Sequence, residues 1–336
     1  MHPNHANLAD FGLGTHYLLA TEPTDGPCLG RVICHQANRY EIATIHGLLW
    51  AEVSGRLSYA ALDETELPAV GDWVLAWWDN PADARNIGLI MEICPRQSVL
   101  SRVAPGGAGT VQILATNVEH LVVVWPLDHV EAGRVRWGMV QRFLTLARSG
   151  GIQPILVLSK ADVLSPADRR EIRSQATTRW PGLPVLVLRS PACMADEDEG
   201  TNTHADLLHL LGPASTTVLA GLSGAGKSTL LNDLAQAGIA RVEAIRDADH
   251  KGRHTTTHRE LHVLPNGALV IDSPGIRELG IVADDDDLDG SFGLISELSS
   301  ACRFADCRHE QEPGCAVLEA VQAGQLPADL LEQYHK

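Results

Sequence analysis

Residues 221–229, Gly-Leu-Ser-Gly-Ala-Gly-Lys-Ser-Thr, have the types and spacing of a loop that holds nucleotide phosphates. They match G-x-x-x-x-G-K-[ST], follow the apolar run 217–220 and precede the helix-compatible stretch TLLNDLAQ. Such glycines let backbone N–H groups face the β-phosphate, the lysine reaches the β- and γ-oxygens, and the next hydroxyl ligates Mg²⁺. The predicted phosphate site comprises Gly221, Leu222, Ser223, Gly224, Ala225, Gly226, Lys227, Ser228 and Thr229, and the alternative is a purely structural turn.

A carboxylate follows the apolar run 268–271, in the sequence Asp272-Ser273-Pro274-Gly275. At a strand end, Asp272 can hold Mg²⁺ through water while the Gly275 N–H approaches the γ-phosphate. Between the two phosphate motifs, the polar stretch GRHTTTH at 252–258 lacks a strand or helix pattern. A threonine there could complete the Mg²⁺ shell only with the γ-phosphate bound, so this stretch is predicted to be a switch segment, with an exposed loop as the alternative.

The stretch Ser159-Lys160-Ala161-Asp162 follows the apolar run 155–158, which places it at the carboxyl end of a predicted strand. Asp162 can accept hydrogen bonds from N1–H and N2–H₂ of guanine, whereas adenine lacks those donors. Lys160 would lay its methylene stem across the base or the ribose. The motif therefore favours GTP over ATP, unless it is an ordinary strand-to-helix turn.

Three cysteines and one histidine lie within fourteen residues near the end of the sequence, as Cys302, Cys307, His309 and Cys315. This donor set suits tetrahedral Zn²⁺ and leaves no position open, so the predicted role is structural. The alternative is free cysteines packed as small apolar side chains. The other four cysteines lack metal spacing and are interpreted as buried or incidental.

Length and composition limit the class of protein. The 336 residues predict two or three domains, and no apolar run approaches the roughly 18 residues that span a bilayer. Nothing marks the chain for export, and a metal suits the crowded cysteines better than disulfides, so we expect a cytoplasmic protein. The net charge of −16 opposes broad non-specific binding to nucleic acid, so any RNA surface must be a local patch.

The pattern of apolar residues changes along the chain. From about residue 15 to 100 the chain reads as short strands, the first at 16–20, separated by turn residues. This pattern predicts an OB-like five-stranded β-barrel in a domain of residues 1–105, with another barrel or a sandwich as the alternative. After a predicted linker at 105–109, continuous apolar runs alternate with helical stretches, which predicts an α/β domain over 106–283. The five runs are 121–125, 155–158, 185–188, 217–220 and 268–271, and the helical stretches include 134–148 and 166–179. The remaining residues, 284–336, are too few to build a core unaided and would depend on the metal.

Taken together, these residues resemble the RsgA (YjeQ) family of circularly permuted GTPases of small ribosomal subunit assembly. The resemblance covers nearly the whole chain and includes LPAVGDWV at 67–74, GRHTTT, DSPGIRE and the terminal cysteine cluster. The base motif precedes the phosphate loop, as in a permuted domain. The implied fold is an N-terminal OB-like barrel, a circularly permuted P-loop GTPase domain and a C-terminal zinc-binding helical module.

The resemblance also implies roles for individual residues. It favours Thr256 as the Mg²⁺ threonine, beside Ser228 and Asp272, and it places a histidine, His254, in the switch segment as a candidate to orient the attacking water. Ile276 follows the D-x-x-G glycine, where Ras-like enzymes carry glutamine, so we expect slow intrinsic turnover. Ser159 stands where asparagine or threonine is usual, and Pro191 has no N–H for a guanine O6 contact.

The implied function is a GTPase that binds the 30S subunit and 16S ribosomal RNA, and hydrolyses GTP to time late small-subunit maturation and the release of assembly factors. GTP or GDP with Mg²⁺ and a structural Zn²⁺ are the expected ligands, and a monomer is expected. Residues 1–105 carry six arginines and no lysine against twelve acids, so composition does not support RNA binding by the barrel. There are two alternatives. One is a P-loop ATPase or small-molecule kinase, and the other is an RNA-binding assembly module in which the nucleotide only controls the affinity for RNA.

Overall fold

The computed structural model describes residues 8–13, 26–80, 86–103, 111–128, 135–189, 201–222, 224–235, 259–272, 298–299, 301–304, 307–322, 326 and 331. The chain divides into two compact units. The first comprises Met1–Val135 and Phe143–Gly280, and the second comprises Arg136–Arg142 and Ile281–Lys336. Among the described residues, no helix has the length and apolar character needed to cross a membrane.

Five strands form a closed barrel at the start of the first unit. Neighbouring strands follow the order β1, β2, β3, β5, β4 and back to β1, with only the β3 and β5 pair parallel. This order confirms the predicted five-stranded OB-like barrel. The strands are β1 Cys28–Gln36, β2 Arg39–Thr44, β3 Gly47–Val53, β4 Trp73–Trp77 and β5 Gly88–Ile93, with a short helix α1 at Gly55–Ala60. A further strand predicted at 16–20 lies outside the described residues.

The turn that leads into β4 is fixed by a buried ion pair. Asp72 is fully buried and accepts two hydrogen bonds from the Arg96 guanidinium, at 2.9 and 2.8 Å, and one from the Ala69 N–H at 2.8 Å. Arg96 also donates to the carbonyls of Thr65 and Leu67. Because both charges are paired and further hydrogen-bonded, this geometry offsets their desolvation.

The same turn packs the barrel against the α/β domain. Gly71 has φ +100°, and the Asn117 side-chain amide donates to its carbonyl at 3.0 Å. Arg31, buried in β1, donates to the carbonyls of Gly71 and Asn117 and to the Thr216 hydroxyl, the last at 2.8 Å. The barrel is therefore hydrogen-bonded to the first residue of the strand that leads into the phosphate loop.

Gly71→Ala should destabilise this junction. An added Cβ would lie 2.1 Å from the Thr116 carbonyl oxygen, a backbone atom, and the left-handed φ alone costs about 1–3 kcal/mol. Gly47→Ala is the matched control, because Gly47 has φ +107° but no atom within 4 Å of an added Cβ. Urea denaturation should show a larger loss of unfolding free energy for Gly71→Ala, and equal losses would contradict the assigned packing.

The α/β part of the first unit is a six-stranded sheet with order β10, β9, β8, β11, β13, β12, in which only β12 is antiparallel to its neighbour. All five predicted apolar runs form strands of this sheet, and the predicted helix at 166–179 is confirmed. The strands are β8 His120–Pro126, β9 Gln153–Ser159, β10 Val185–Val187, β11 Thr216–Ala220, β12 Arg259–Val263 and β13 Leu269–Asp272. The helices, one of which (α2) is shared with the second unit, are α2 Trp137–Ser149, α3 Pro166–Arg179, α4 His204–Leu211 and α5 Lys227–Leu234.

Two features of the strand pairing were not predicted from the sequence. Strand β12 pairs with β1 of the barrel, with Cys34 opposite Glu260 and His35 opposite Arg259, so barrel and sheet share one hydrogen-bonded ladder. Strands β6 Val99–Val103 and β7 Val111–Thr116 form a separate antiparallel pair. Residues 105–109, the predicted linker, lie outside the described residues and connect these two paired strands. The domain boundary at 105 stays a prediction.

The second unit contains helix α6 at Ala316–Gln322 and a small apolar cluster. Its buried members are Cys315, Val317, Ala320, Leu326 and Leu331. A cluster of this size agrees with the expectation that these residues need an additional source of folding free energy. The boundary predicted at 284 stays a prediction.

Candidate functional site

The parallel strands bring the predicted nucleotide motifs to one edge of the sheet. Strands β8, β9, β11 and β13 all point the same way, so their carboxyl ends share that edge. The phosphate loop follows β11, the base motif follows β9, and Asp272 ends β13. This is the edge at which open α/β sheets bind ligands.

The glycines of the phosphate loop have conformations that other residues avoid. Gly221 has φ +139°, and a Cβ there would lie 2.1 Å from the Val124 carbonyl oxygen of β8. Gly224 and Gly226 also have positive φ, and Gly226 caps the N-terminus of α5. The loop therefore passes close to β8 and is followed directly by helix α5. The first N–H groups of this helix face the loop.

Lys227, the first residue of α5, is buried, with 7% of its surface exposed. Its ammonium donates to the carbonyls of Gly221 at 2.8 Å and Leu222 at 2.6 Å, so it is held across the mouth of its own loop. Ser228 is half-buried and Thr229 is exposed. Ser223 lies outside the described residues.

The base motif is hydrogen-bonded to the phosphate loop. The Ser159 hydroxyl, at the end of β9, lies 2.8 Å from the Ala225 carbonyl oxygen and 3.2 Å from that of Trp125. Asp162 lies half-buried in a 3₁₀ turn spanning Ala161–Val163. Serine at position 159 therefore links the two motifs through its side chain, and a contact between Ser159 and a base stays a prediction.

Lys160 pairs with an acidic residue that the sequence analysis did not select. Its backbone is left-handed, with φ +55° and ψ +38°, and its ammonium lies 2.5 Å from a carboxylate oxygen of Asp128. Asp128 follows β8 two residues after its end. The available signal was a carboxylate three residues after the apolar run 121–125, which forms the strand next to the one that precedes the base motif.

Several predicted site residues belong to stretches that the structure does not describe. His254, Thr256, Gly275 and Ser190-Pro191-Ala192 lie outside the described residues. Asp272 is described only as the backbone end of β13, where it pairs with Glu260 of β12. Strand β12 starts directly after the predicted switch segment, so that segment and Asp272 adjoin two paired strands.

The first residue of β12 is fixed from two sides. Arg259 lies opposite His35 of the barrel, and its guanidinium donates to the Ile113 carbonyl of β7 at 2.7 Å. Burial lowers the Arg259 pKa from its ordinary value, and the nearby charge of Arg102 lowers it further. The residue that follows the switch segment is thus attached to both the barrel and the β6 and β7 pair.

The four predicted zinc ligands converge. One donor atom from each of Cys302, Cys307, His309 and Cys315 lies within 4.8 Å of the others. His309 Nδ1 is 3.3 Å from the Cys315 sulfur, and the Cys302 sulfur is 3.8 Å from the Cys315 sulfur. The set and its spacing fit a tetrahedral metal held by three sulfurs and one nitrogen.

Residues around this cluster orient it. Ser299 Oγ lies 3.0 Å from His309 Nε2, which leaves Nδ1 to face the sulfurs. The Glu312 carboxylate accepts backbone N–H bonds from Arg308, Glu310 and Gln311, at 2.9 to 3.0 Å. Backbone hydrogen bonds lower the Glu312 pKa to about 2, and the bond from Arg308 has the largest effect. Neither Ser299 nor Glu312 was selected from the sequence, because neither belongs to a spacing motif.

Three of the remaining cysteines have ordinary structural environments. Cys34 and Cys94 are buried and Cys28 is half-buried. Burial raises the pKa of Cys28, and burial together with the charges of Glu92 and Asp72 raises the pKa of Cys94 to about 11. The thiols of Cys28 and Cys94 therefore stay protonated at neutral pH, which agrees with the interpretation that these cysteines are buried or incidental. Cys193 lies outside the described residues.

Comparison with known proteins gives consistent relatives. A family model described as RsgA GTPase matches residues 93–282. The small ribosomal subunit biogenesis GTPase RsgA of Streptomyces coelicolor is 38% identical, over 100% of this chain and 87% of its own length. The protein named small ribosomal subunit biogenesis GTPase RsgA 2 in Lactiplantibacillus plantarum is 38% identical, over 98% of this chain and 88% of its own length.

Solved structures share the fold. YloQ, described as a circularly permuted GTPase, aligns with a TM-score of 0.57 at 26% identity, covering 94% of this chain and 95% of its own. YjeQ from Thermotoga maritima aligns with a TM-score of 0.58 at 23% identity, covering 91% of this chain and 95% of its own. The order of motifs along the present sheet agrees with a permuted GTPase domain.

Proposed function

The chain belongs to the RsgA GTPase family, and on that premise we propose that it binds the small ribosomal subunit, hydrolyses GTP there, and so times late maturation and the release of assembly factors. It is a GTP-hydrolysing enzyme of small ribosomal subunit biogenesis. The observation that carries the assignment is the direct hydrogen bond between base motif and phosphate loop, from Ser159 to Ala225, at one edge of a permuted sheet.

In the proposed complex, the phosphate loop holds the β- and γ-phosphates. The buried Lys227 ammonium already lies across the loop, and on nucleotide binding it exchanges its carbonyl partners for phosphate oxygens. Ser228, Asp272 and Thr256 are the proposed Mg²⁺ residues, and Gly275 is the proposed γ-phosphate contact. Bound Mg²⁺ would neutralise charge that develops on the phosphates during transfer.

The base site is proposed to select guanine through Asp162. The half-buried Asp162 carboxylate would accept from the two N–H donors of guanine, and adenine offers neither donor. A site built on such matched hydrogen bonds typically rejects an analogue that lacks them by a factor of about 10⁴–10⁵. A P-loop ATPase or kinase is the competing function, and it would show no preference for guanine nucleotides.

His254 is the proposed water-orienting residue. His254→Ala should lower subunit-stimulated GTP turnover by about 10²–10⁴-fold, because Ile276 cannot hydrogen-bond to water, while GTP affinity stays unchanged. Single-turnover hydrolysis with small subunits measures this, with His258→Ala, in the same segment, as the matched control. Unchanged stimulated turnover in His254→Ala would remove the histidine from the mechanism.

The finer partner assignments are also proposals. 16S ribosomal RNA is proposed to contact the basic segment 241–259, since the barrel is acidic. Three tryptophans of the barrel could in principle stack on bases. Trp73 and Trp78 are buried, at 1% and 7% exposed, which leaves Trp77 at 41%. A structural Zn²⁺ in the Cys₃His cluster, a monomeric state and a cytoplasmic location complete the proposal.

Co-sedimentation tests the proposed binding. The wild-type protein should pellet with small subunits in the presence of a non-hydrolysable GTP analogue, and less so with GDP or an ATP analogue. Large subunits serve as the control. Equal pelleting with both subunits, or none with either, would contradict the proposed partner.

A further inference from the structure

We propose that Asp128 is a positioning residue of the base site, which holds the Lys160 side chain in place for guanine nucleotide through an ion pair. The inference rests on the proposed function, because it assigns a residue to the base site named there. Asp128 belongs to none of the motifs by which the sequence resembles a GTPase.

The backbone fixes Asp128 beside the base motif. The pairing of β8 with β9 extends past the end of β8, since the Leu127 N–H donates to the Ser159 carbonyl at 3.0 Å. Leu127 is 1% exposed and anchors this extension. Asp128 therefore lies next to Lys160 as a consequence of strand register.

The ion pair is short and partly shielded. Lys160 Nζ lies 2.5 Å from Asp128 Oδ2, and the two side chains are 31% and 27% exposed. For comparison, the ion pair between Arg39 and Glu52 on the barrel has side chains 54% and 45% exposed. Partial burial reduces screening by water, so the Asp128 pair should hold a lysine conformation more effectively than a surface pair.

Lys160 needs such a partner. Its left-handed backbone sets the direction in which the side chain leaves the turn, but the long stem has many rotamers. A lysine whose stem must cover a base or ribose loses that freedom when nucleotide binds. If Asp128 has already restricted the side chain, less entropy is lost on binding and the affinity is higher.

The experiment measures GDP binding with Mg²⁺ by calorimetry, and tripolyphosphate binding as a probe of the phosphate loop alone. Asp128→Ala should weaken GDP binding about threefold to tenfold while leaving tripolyphosphate binding unchanged. Asp128→Glu should restore part of the loss, and high salt should narrow the difference from wild type. Glu52→Gln, which breaks the exposed barrel pair, is the matched control and should bind GDP as wild type does.

A double-mutant cycle separates positioning from general damage. In a Lys160→Met background, Asp128→Ala should have no further effect on GDP affinity, because Asp128 is proposed to affect the nucleotide through the lysine. Three results would overturn the inference. The losses of GDP affinity in the two single variants could add up in the double variant, Asp128→Ala could weaken GDP and tripolyphosphate binding equally, or Asp128→Ala could bind GDP as tightly as wild type or more tightly. Wild-type protein that binds ADP as well as GDP would instead contradict the proposed function itself.

Discussion

Lys227→Met should reduce GTP hydrolysis by about 10²–10³-fold, in line with the loss of one preorganised group that stabilises transition-state charge. Methionine keeps the apolar stem of this buried side chain and removes only the ammonium, which now bonds to the carbonyls of Gly221 and Leu222. The packing of α5 should therefore survive. Multiple-turnover hydrolysis with saturating small subunits provides the measurement.

Two further readouts make this result specific. The melting temperature should stay close to that of wild type, and binding to small subunits without nucleotide should be retained. GTP turnover at the wild-type rate would show that the loop at 221–229 is not the phosphate site. A collapse in melting temperature would contradict the expectation that the stem alone maintains the packing.

Removal of the metal should unfold the second unit while the first keeps its fold. The cluster of Cys302, Cys307, His309 and Cys315 lies beside only a small apolar core, so bound zinc is expected to supply folding free energy on the order of 10 kcal/mol. Cys315→Ser should lower zinc content from one per chain and expose α6 to protease. GDP binding should persist, because the phosphate loop belongs to the first unit.

Cys28→Ser is the matched control for this prediction. Cys28 is a half-buried thiol of the barrel, outside the cluster, so its replacement should leave zinc content and protease resistance unchanged. Wild-type protein without zinc, or equal zinc loss in both variants, would contradict a structural metal in the second unit.

Local sequence patterns predicted most of the elements that position the site. Continuous apolar runs identified the five parallel strands, because strands buried on both faces carry few polar residues. The phosphate loop, the base motif and the cysteine cluster were recognisable because their chemistry requires fixed residue types at fixed spacing. For the Cys₃His cluster, that spacing was enough to predict that the four side chains meet.

Contacts between distant parts of the chain could not be predicted in this way. The pairing of β1 with β12 joins residues near positions 35 and 259, and the hydrogen bond from Arg31 to Thr216 spans 185 residues. Neither contact leaves a local periodicity. Strand β12 begins at Arg259, the last residue of the basic segment 241–259, and the polar residues directly before it gave no strand signal. The role of Ser159 was missed similarly, because its acceptor on Ala225 follows from how two loops pack.

The most direct test of the account compares GTP and ATP hydrolysis by the purified protein, alone and with small or large ribosomal subunits. We expect slow basal GTP turnover, strong stimulation by small subunits only, and no stimulated ATP turnover. Equal basal and stimulated rates, or a preference for ATP, would contradict both the guanine site at Asp162 and the proposed ribosomal function.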